Sequence, residues 1–149
     1  TTQERSKILD ALNDDIYLIK NVPKYVLLRL DAALSDGNAS YEYTTTTVEH
    51  VLPQTPKIPS VWTNWFPGEE ERERFVHKLG NLVLLSRRKN SQSRNYDFDT
   101  KKKKYFATDK GISPFVLTTQ VLQKREWTPE VIEKRQEELI ETLSDLWRL

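Results

Sequence analysis

Val48-Glu49-His50-Val51-Leu52-Pro53-Gln54 sets a carboxylate directly beside an imidazole. A histidine titrates near ~6.5, so at working pH it is mostly neutral and can take a proton. A neighbouring carboxylate offers hard oxygen to a cation. The pair therefore holds the parts for general-base chemistry assisted by a metal ion. Downstream, Leu79-Gly80-Asn81-Leu82-Val83-Leu84-Leu85 leads into Ser86-Arg87-Arg88-Lys89-Asn90 and places two asparagines nine positions apart. Charge is segregated around the second asparagine. Arg87, Arg88, Lys89, Arg94 and Lys101 to Lys104 stand against Asp97 and Asp99, a local net charge of +6, while Glu130 to Asp145 carries −4 and the whole chain only +1. A near-neutral average thus hides a basic middle and an acidic end.

The elements that must position these residues can be read from periodicity. Ile8, Leu12, Ile16 and Ile19 recur at helical spacing behind Thr1 and Glu4, which stand in a capping-box relation. Pro23 ends or restarts that helix. Lys24 to Leu34 is expected to form a second one, stopped by Ser35-Asp36-Gly37-Asn38. Tyr41 to Val51, rich in β-branched and aromatic residues, reads as a strand, and Pro53, Pro56 and Pro59 make the next stretch an extended loop. If Glu49 and His50 lie on a regular strand they face opposite sides, so one site can use both only where the backbone twists or bulges. A helix from Glu69 to Leu79 is expected to close on Gly80 as a left-handed cap. Leu82 to Leu85 has the length and punctuation of a buried strand. A basic helix begins after Asn90, reaches Phe106 and is closed by Gly111; Ser113-Pro114 opens another to about Gln123. Thr128-Pro129-Glu130 starts a last helix, whose stripe is Ile132, Gln136, Leu139, Leu143 and Leu146.

Composition narrows the class. The chain has 149 residues, 37% hydrophobic, 30% charged and 10% aromatic, with a mean hydropathy of −0.68. It is polar yet too aromatic for a disordered segment, and long enough to bury a core as a single domain spanning 1–149. No apolar run approaches the ~18 residues of a membrane span, and no secretory leader is legible, so a cytoplasmic site of action without membrane contact is expected. Without cysteine there are no thiolate metal sites and no cysteine nucleophile. Without methionine, and beginning Thr1-Thr2, the chain is expected to be a domain of a longer protein.

Glu-His-(apolar)-(apolar)-Pro-Gln, then Leu-Gly-Asn-Leu-x-Leu-Leu, then an asparagine ahead of a lysine-rich segment ending in Tyr105, resembles the HNH-type nuclease domain at the C-terminus of GmrSD-like, modification-dependent restriction enzymes. Trp127, the helix containing Arg135, and Trp147 extend the resemblance over roughly residues 25–147. It implies an α+β, mostly helical fold with a small ββα-metal core at about 41–110, flanked by helices within 1–34 and 113–149. It implies His50 as general base, Glu49 and Asn90 as ligands of a divalent cation, and Asn81 as the residue pinning the loop that carries His50. Glutamate and asparagine, where the commonest HNH pattern has aspartate and histidine, favour Mg²⁺, with Mn²⁺ able to substitute, over zinc or nickel. The partners implied are DNA and an N-terminal nucleotide-hydrolysing or sensing domain of the parent protein, in bacterial or archaeal defence against foreign DNA.

Elementary energetics agrees with that allocation. Phosphodiester hydrolysis needs an acceleration near the top of the ~10⁶ to 10¹⁷ range, and one general base supplies only ~10² to 10⁴. A cation must carry much of the rest. Arg87, Arg88, Lys89 and Arg94 would hold phosphates, joined by Lys101 and Lys104 if the lysine run is more than a solvated helix face. Other residues keep two readings. His77 caps or packs, or serves as a reserve ligand; Asn90 ligates or caps a turn; Trp62, Trp65 and Phe66 stack on bases or cover the core. The rival functions are an inactive DNA-binding module of the same fold and a nuclease acting on RNA.

Overall fold

The computed structural model describes residues 1–35, 45–86, 95–107 and 113–149. Helix α1 (Thr2–Asn13) begins with a capping box: the Glu4 N–H donates to Thr1 Oγ1 at 3.2 Å, and the Glu4 carboxylate accepts from the Thr1 backbone and hydroxyl. The expected stripe through Ile19 is not one helix. At Asn13-Asp14-Asp15 a side chain competes with the helical backbone, Asp14 Oδ1 accepting the Asp15 N–H at 2.9 Å, and the chain passes into a 3-10 turn at Ile16–Leu18. Leu12 and Ile16 are buried as a result, while Ile8 and Ile19 lie exposed. Helix α2 (Val22–Leu34) restarts with Pro23 in its first turn.

Strand β1 (Thr46–His50) is shorter than its sequence signal, residues 41–44 lying outside the described residues. It pairs antiparallel with β2 (Leu82–Ser86), Glu49 opposite Val83 and His50 opposite Leu82. Between the strands lie the proline loop, the short helix α3 (Val61–Trp65) and α4 (Glu69–Val76). Helix α5 (Phe98–Thr100) runs on into a π-helical segment, Lys101–Phe106. Helices α6 (Val116–Leu122) and α7 (Pro129–Trp147) complete the fold. Thr128 caps α7, its hydroxyl accepting the Val131 N–H at 3.3 Å. The expected closing Gly111 lies outside the described residues. The protein is α+β and mostly helical, and among the described residues it is built around one two-stranded sheet.

Both faces of β2 are buried, which explains its unbroken apolar run. Leu82 and Leu84 join Leu12, Ile16, Leu27, Leu30, Leu139 and Leu143 on one side. Val83 and Leu85 join Leu52, Trp62, Phe66, Phe98, Phe106 and Trp127 on the other. Trp62 and Phe66 are therefore core residues rather than a surface for bases. Gly80 is also reassigned. It is not left-handed; it sits in the 3-10 turn Leu79–Asn81, pressed against α7, where an added Cβ would lie 2.6 Å from the Ile132 carbonyl oxygen. Its N–H donates to Gln136 Oε1 at 2.6 Å. Glycine is needed there for close approach and not for a cap. Among the described residues, no helix is long and apolar enough to cross a membrane.

Candidate active site

The site lies where β1 ends. Regular pairing would send Glu49 and His50 to opposite faces, yet the Glu49 side chain folds back so that Oε1 accepts the His50 N–H at 2.8 Å. Lys101 joins them from the segment that continues α5. Its Nζ donates to the His50 carbonyl at 2.7 Å and stands 3.9 Å from Glu49 Oε1. This lysine, expected among the DNA-contacting residues, is instead fully buried and out of reach of a phosphate. Four consecutive lysines must point in four directions around a helix, and the one three residues after Phe98 and four before Tyr105 points inward. Burial pulls the Lys101 amine down to about 8, against the opposing pull of Glu49. Lys104, by contrast, is exposed.

Asn81 holds the chain on either side of this junction. Its Oδ1 accepts from the Leu52 N–H at 2.8 Å and from Trp127 Nε1 at 3.0 Å; its Nδ2 donates to the carbonyls of Leu52 at 3.0 Å and Val76 at 2.8 Å. Both lone pairs and both hydrogens of that amide are thus used inside the protein, consistent with its complete burial. Arg135 braces the same turn. Its buried guanidinium donates to the carbonyls of Gly80 at 2.8 Å and Leu82 at 3.0 Å and lies over the Trp127 ring. The signal for it was a charged residue set between Ile132 and Leu139 on the apolar face of α7.

His50 is 4% exposed. Its Nε2 lies 3.1 Å from His77 Nδ1, and its Nδ1 lies 3.5 Å from the Gln54 amide nitrogen. Tyr17 meets the His50 ring edge-on, with centroids 4.1 Å apart, and stacks on His77 at 5.2 Å. No feature of the sequence links Tyr17, 33 positions away, to this histidine. Burial first, then the charges of His77 and Lys101, hold the His50 imidazole down to about 3. It is neutral through the ordinary pH range, with a lone pair to offer.

The donor chemistry suits a hard cation held by few protein ligands. Glu49 brings oxygen to the end of β1, and among the described residues no group of three or more His, Cys, Asp or Glu could hold an ion. Mg²⁺ needs no such group, because one or two carboxylates hold it together with water and phosphate rather than a closed protein cage. Arg87, Arg88, Lys89, Asn90 and Arg94 lie outside the described residues.

Comparison with family models matches residues 2–142 to the C-terminal domain of GmrSD restriction endonucleases. No curated protein matches the chain.

Proposed function

The chain belongs to the GmrSD restriction endonuclease C-terminal domain family, and from that premise we propose that it is a metal-dependent DNA endonuclease of HNH type, with His50 as its base. The observation that carries this reading is the end of β1, where a neutral, nearly buried imidazole and a carboxylate share one short stretch of backbone held by Lys101 and Asn81. The lone pair of that neutral imidazole can accept the proton of an attacking water, as a weaker base than a histidine that titrates near the working pH. The water oxygen bonds to phosphorus as its proton passes to His50, the bond from phosphorus to the 3′ oxygen breaks, and that oxygen leaves with the bonding pair and takes a proton from solvent water, giving 5′-phosphate and 3′-hydroxyl ends.

Glu49 and Asn90 would hold Mg²⁺, which when bound supplies charge neutralisation at the phosphate and the leaving oxygen. Lys101 keeps the carbonyl of His50 fixed, and Asn81 keeps the following loop fixed, so that imidazole and carboxylate meet a substrate without rearranging. Arg87, Arg88, Lys89, Arg94 and Lys104 bind the backbone of DNA, and sequence or modification is read by other parts of the parent protein, since phosphate contacts carry no base code. That parent protein carries an N-terminal nucleotide-hydrolysing or sensing domain and works in the cytoplasm against foreign DNA.

The test is digestion of supercoiled plasmid, with an RNA of equal length alongside, in Mg²⁺, in EDTA and with His50→Ala. Nicked or linear DNA that disappears in both controls is the expected result. Salt-sensitive binding without cleavage in Mg²⁺ or Mn²⁺ would convert the reading to a binding module, preferential loss of the RNA would change the substrate, and full activity of His50→Ala would remove the base.

A further inference from the structure

We propose that His77 is a positioning residue that decides which nitrogen of His50 is the base: His77 Nδ1 accepts a hydrogen from His50 Nε2, so that Nδ1 of His50 is left with the lone pair. The catalytic meaning of this arrangement rests on the nuclease reading above, whereas the arrangement itself rests on geometry. At 3.1 Å the two ring nitrogens are at hydrogen-bond distance, and one of them must carry the hydrogen. The other end of the His50 ring chooses between the alternatives. Its Nδ1 faces the amide nitrogen of Gln54, a donor, at 3.5 Å. A donor opposite Nδ1 calls for a lone pair there, which places the hydrogen of His50 on Nε2. Gln54 is exposed and its contact is at the long limit of a hydrogen bond, so its donor favours a lone pair on Nδ1 without holding that lone pair strongly.

The neighbours of the two rings hold this pairing in place. Tyr17 lies parallel to His77, within 6°, and edge-on to His50, and its backbone N–H donates to the His77 carbonyl at 3.3 Å. One aromatic ring thus sets the planes of both imidazoles. Asn81 sets their spacing, because its amide binds Leu52, two residues after His50, and Val76, immediately before His77. A base whose second nitrogen is bonded to an orienting group is the arrangement by which triad enzymes select a tautomer, with an imidazole in place of the usual carboxylate. It also gives His77 a task that helix capping does not require.

The chain contains two histidines, so every His77 variant leaves the imidazole signals of His50 unobscured. The experiment is the long-range ¹H–¹⁵N spectrum of the ring nitrogens at one fixed pH, together with steady-state cleavage, for the unaltered chain, His77→Leu and His77→Asn. The asparagine amide oxygen replaces Nδ1 as acceptor, and leucine replaces nothing. The expected result is a single Nε2–H tautomer of His50 in the unaltered chain and in His77→Asn, and a mixture of tautomers in His77→Leu. In parallel, kcat should fall about 10- to 100-fold in His77→Leu with KM unchanged, and return to within a few-fold in His77→Asn. An Nδ1–H tautomer of His50 in the unaltered chain, or equal losses in both variants, would overturn the proposal. Should His77→Leu melt below the assay temperature, His77→Asn decides: retention of the Nε2–H form supports the assignment and its loss refutes it. A chain with the Nε2–H tautomer that cuts no nucleic acid would support the assignment and refute the nuclease reading.

Discussion

Lys101 and His50 show how side chains of ordinary type take on particular roles through burial. The Lys101 ammonium is the donor to the His50 carbonyl. In Lys101→Met the stem still fills its space but that carbonyl loses its partner, and a loss of about 1–3 kcal/mol in urea unfolding is expected. His50 makes a pH prediction. Its folded value of about 3 lies below the ~6.5 of an unfolded histidine, so the unfolded chain binds more protons in between. The stability it contributes is complete above about 6.5 and is lost as pH falls toward 3. Urea midpoints measured between about pH 6.5 and 5, where most carboxylates remain ionised, should therefore decline in the unaltered chain and decline less in His50→Gln. Glu49 and His50 could be picked out from residue type and adjacency. The inward turn of Lys101 was obscured by three neighbours of identical type, although its spacing from Phe98 and Tyr105 contained the clue.

At the scale of elements, the turn Leu79–Asn81 couples the sheet to α7. Gly80→Ala would force a Cβ into the Ile132 carbonyl, and the cost of moving a 19-residue helix aside is expected to be about 1–3 kcal/mol, read as a shifted denaturation midpoint with an unchanged slope. Asn81→Ala is more severe. It strips partners from the Leu52 N–H and carbonyl, the Val76 carbonyl and the Trp127 indole, all inside the protein, and a loss above about 3 kcal/mol is expected by the same measurement. Helix starts were readable because caps act over three or four residues: Thr1 with Glu4, and Thr128 with Val131. The break after Asn13 was not, since hydrophobic spacing continued across it and only the competing Asp14 side chain, with the packing of Ile16, settled where the helix stops.

Across the whole molecule, a basic middle is set against an acidic end within a chain of net charge +1, so the proposed attraction to DNA would rest on a local patch and not on net charge. If Arg87 and Arg88 each meet a phosphate, Arg87→Gln with Arg88→Gln should make the slope of log affinity against log salt shallower by about 2, at roughly 0.9 per contact. A titration of binding from low to moderate salt measures it. The sequence by itself determined the chemistry available, the mixed and mostly helical class, the two strand segments and the N-caps at Thr1 and Thr128, because each depends on residue types within one or two turns of one another. Only the tertiary structure decided which lysine lies inside, why residue 80 must lack a side chain, and that His50 meets His77 and Tyr17. Those contacts join positions 27 to 56 residues apart. Periodicity records whether a position is buried, but the partner it meets is selected by how the helices stack on both faces of the sheet.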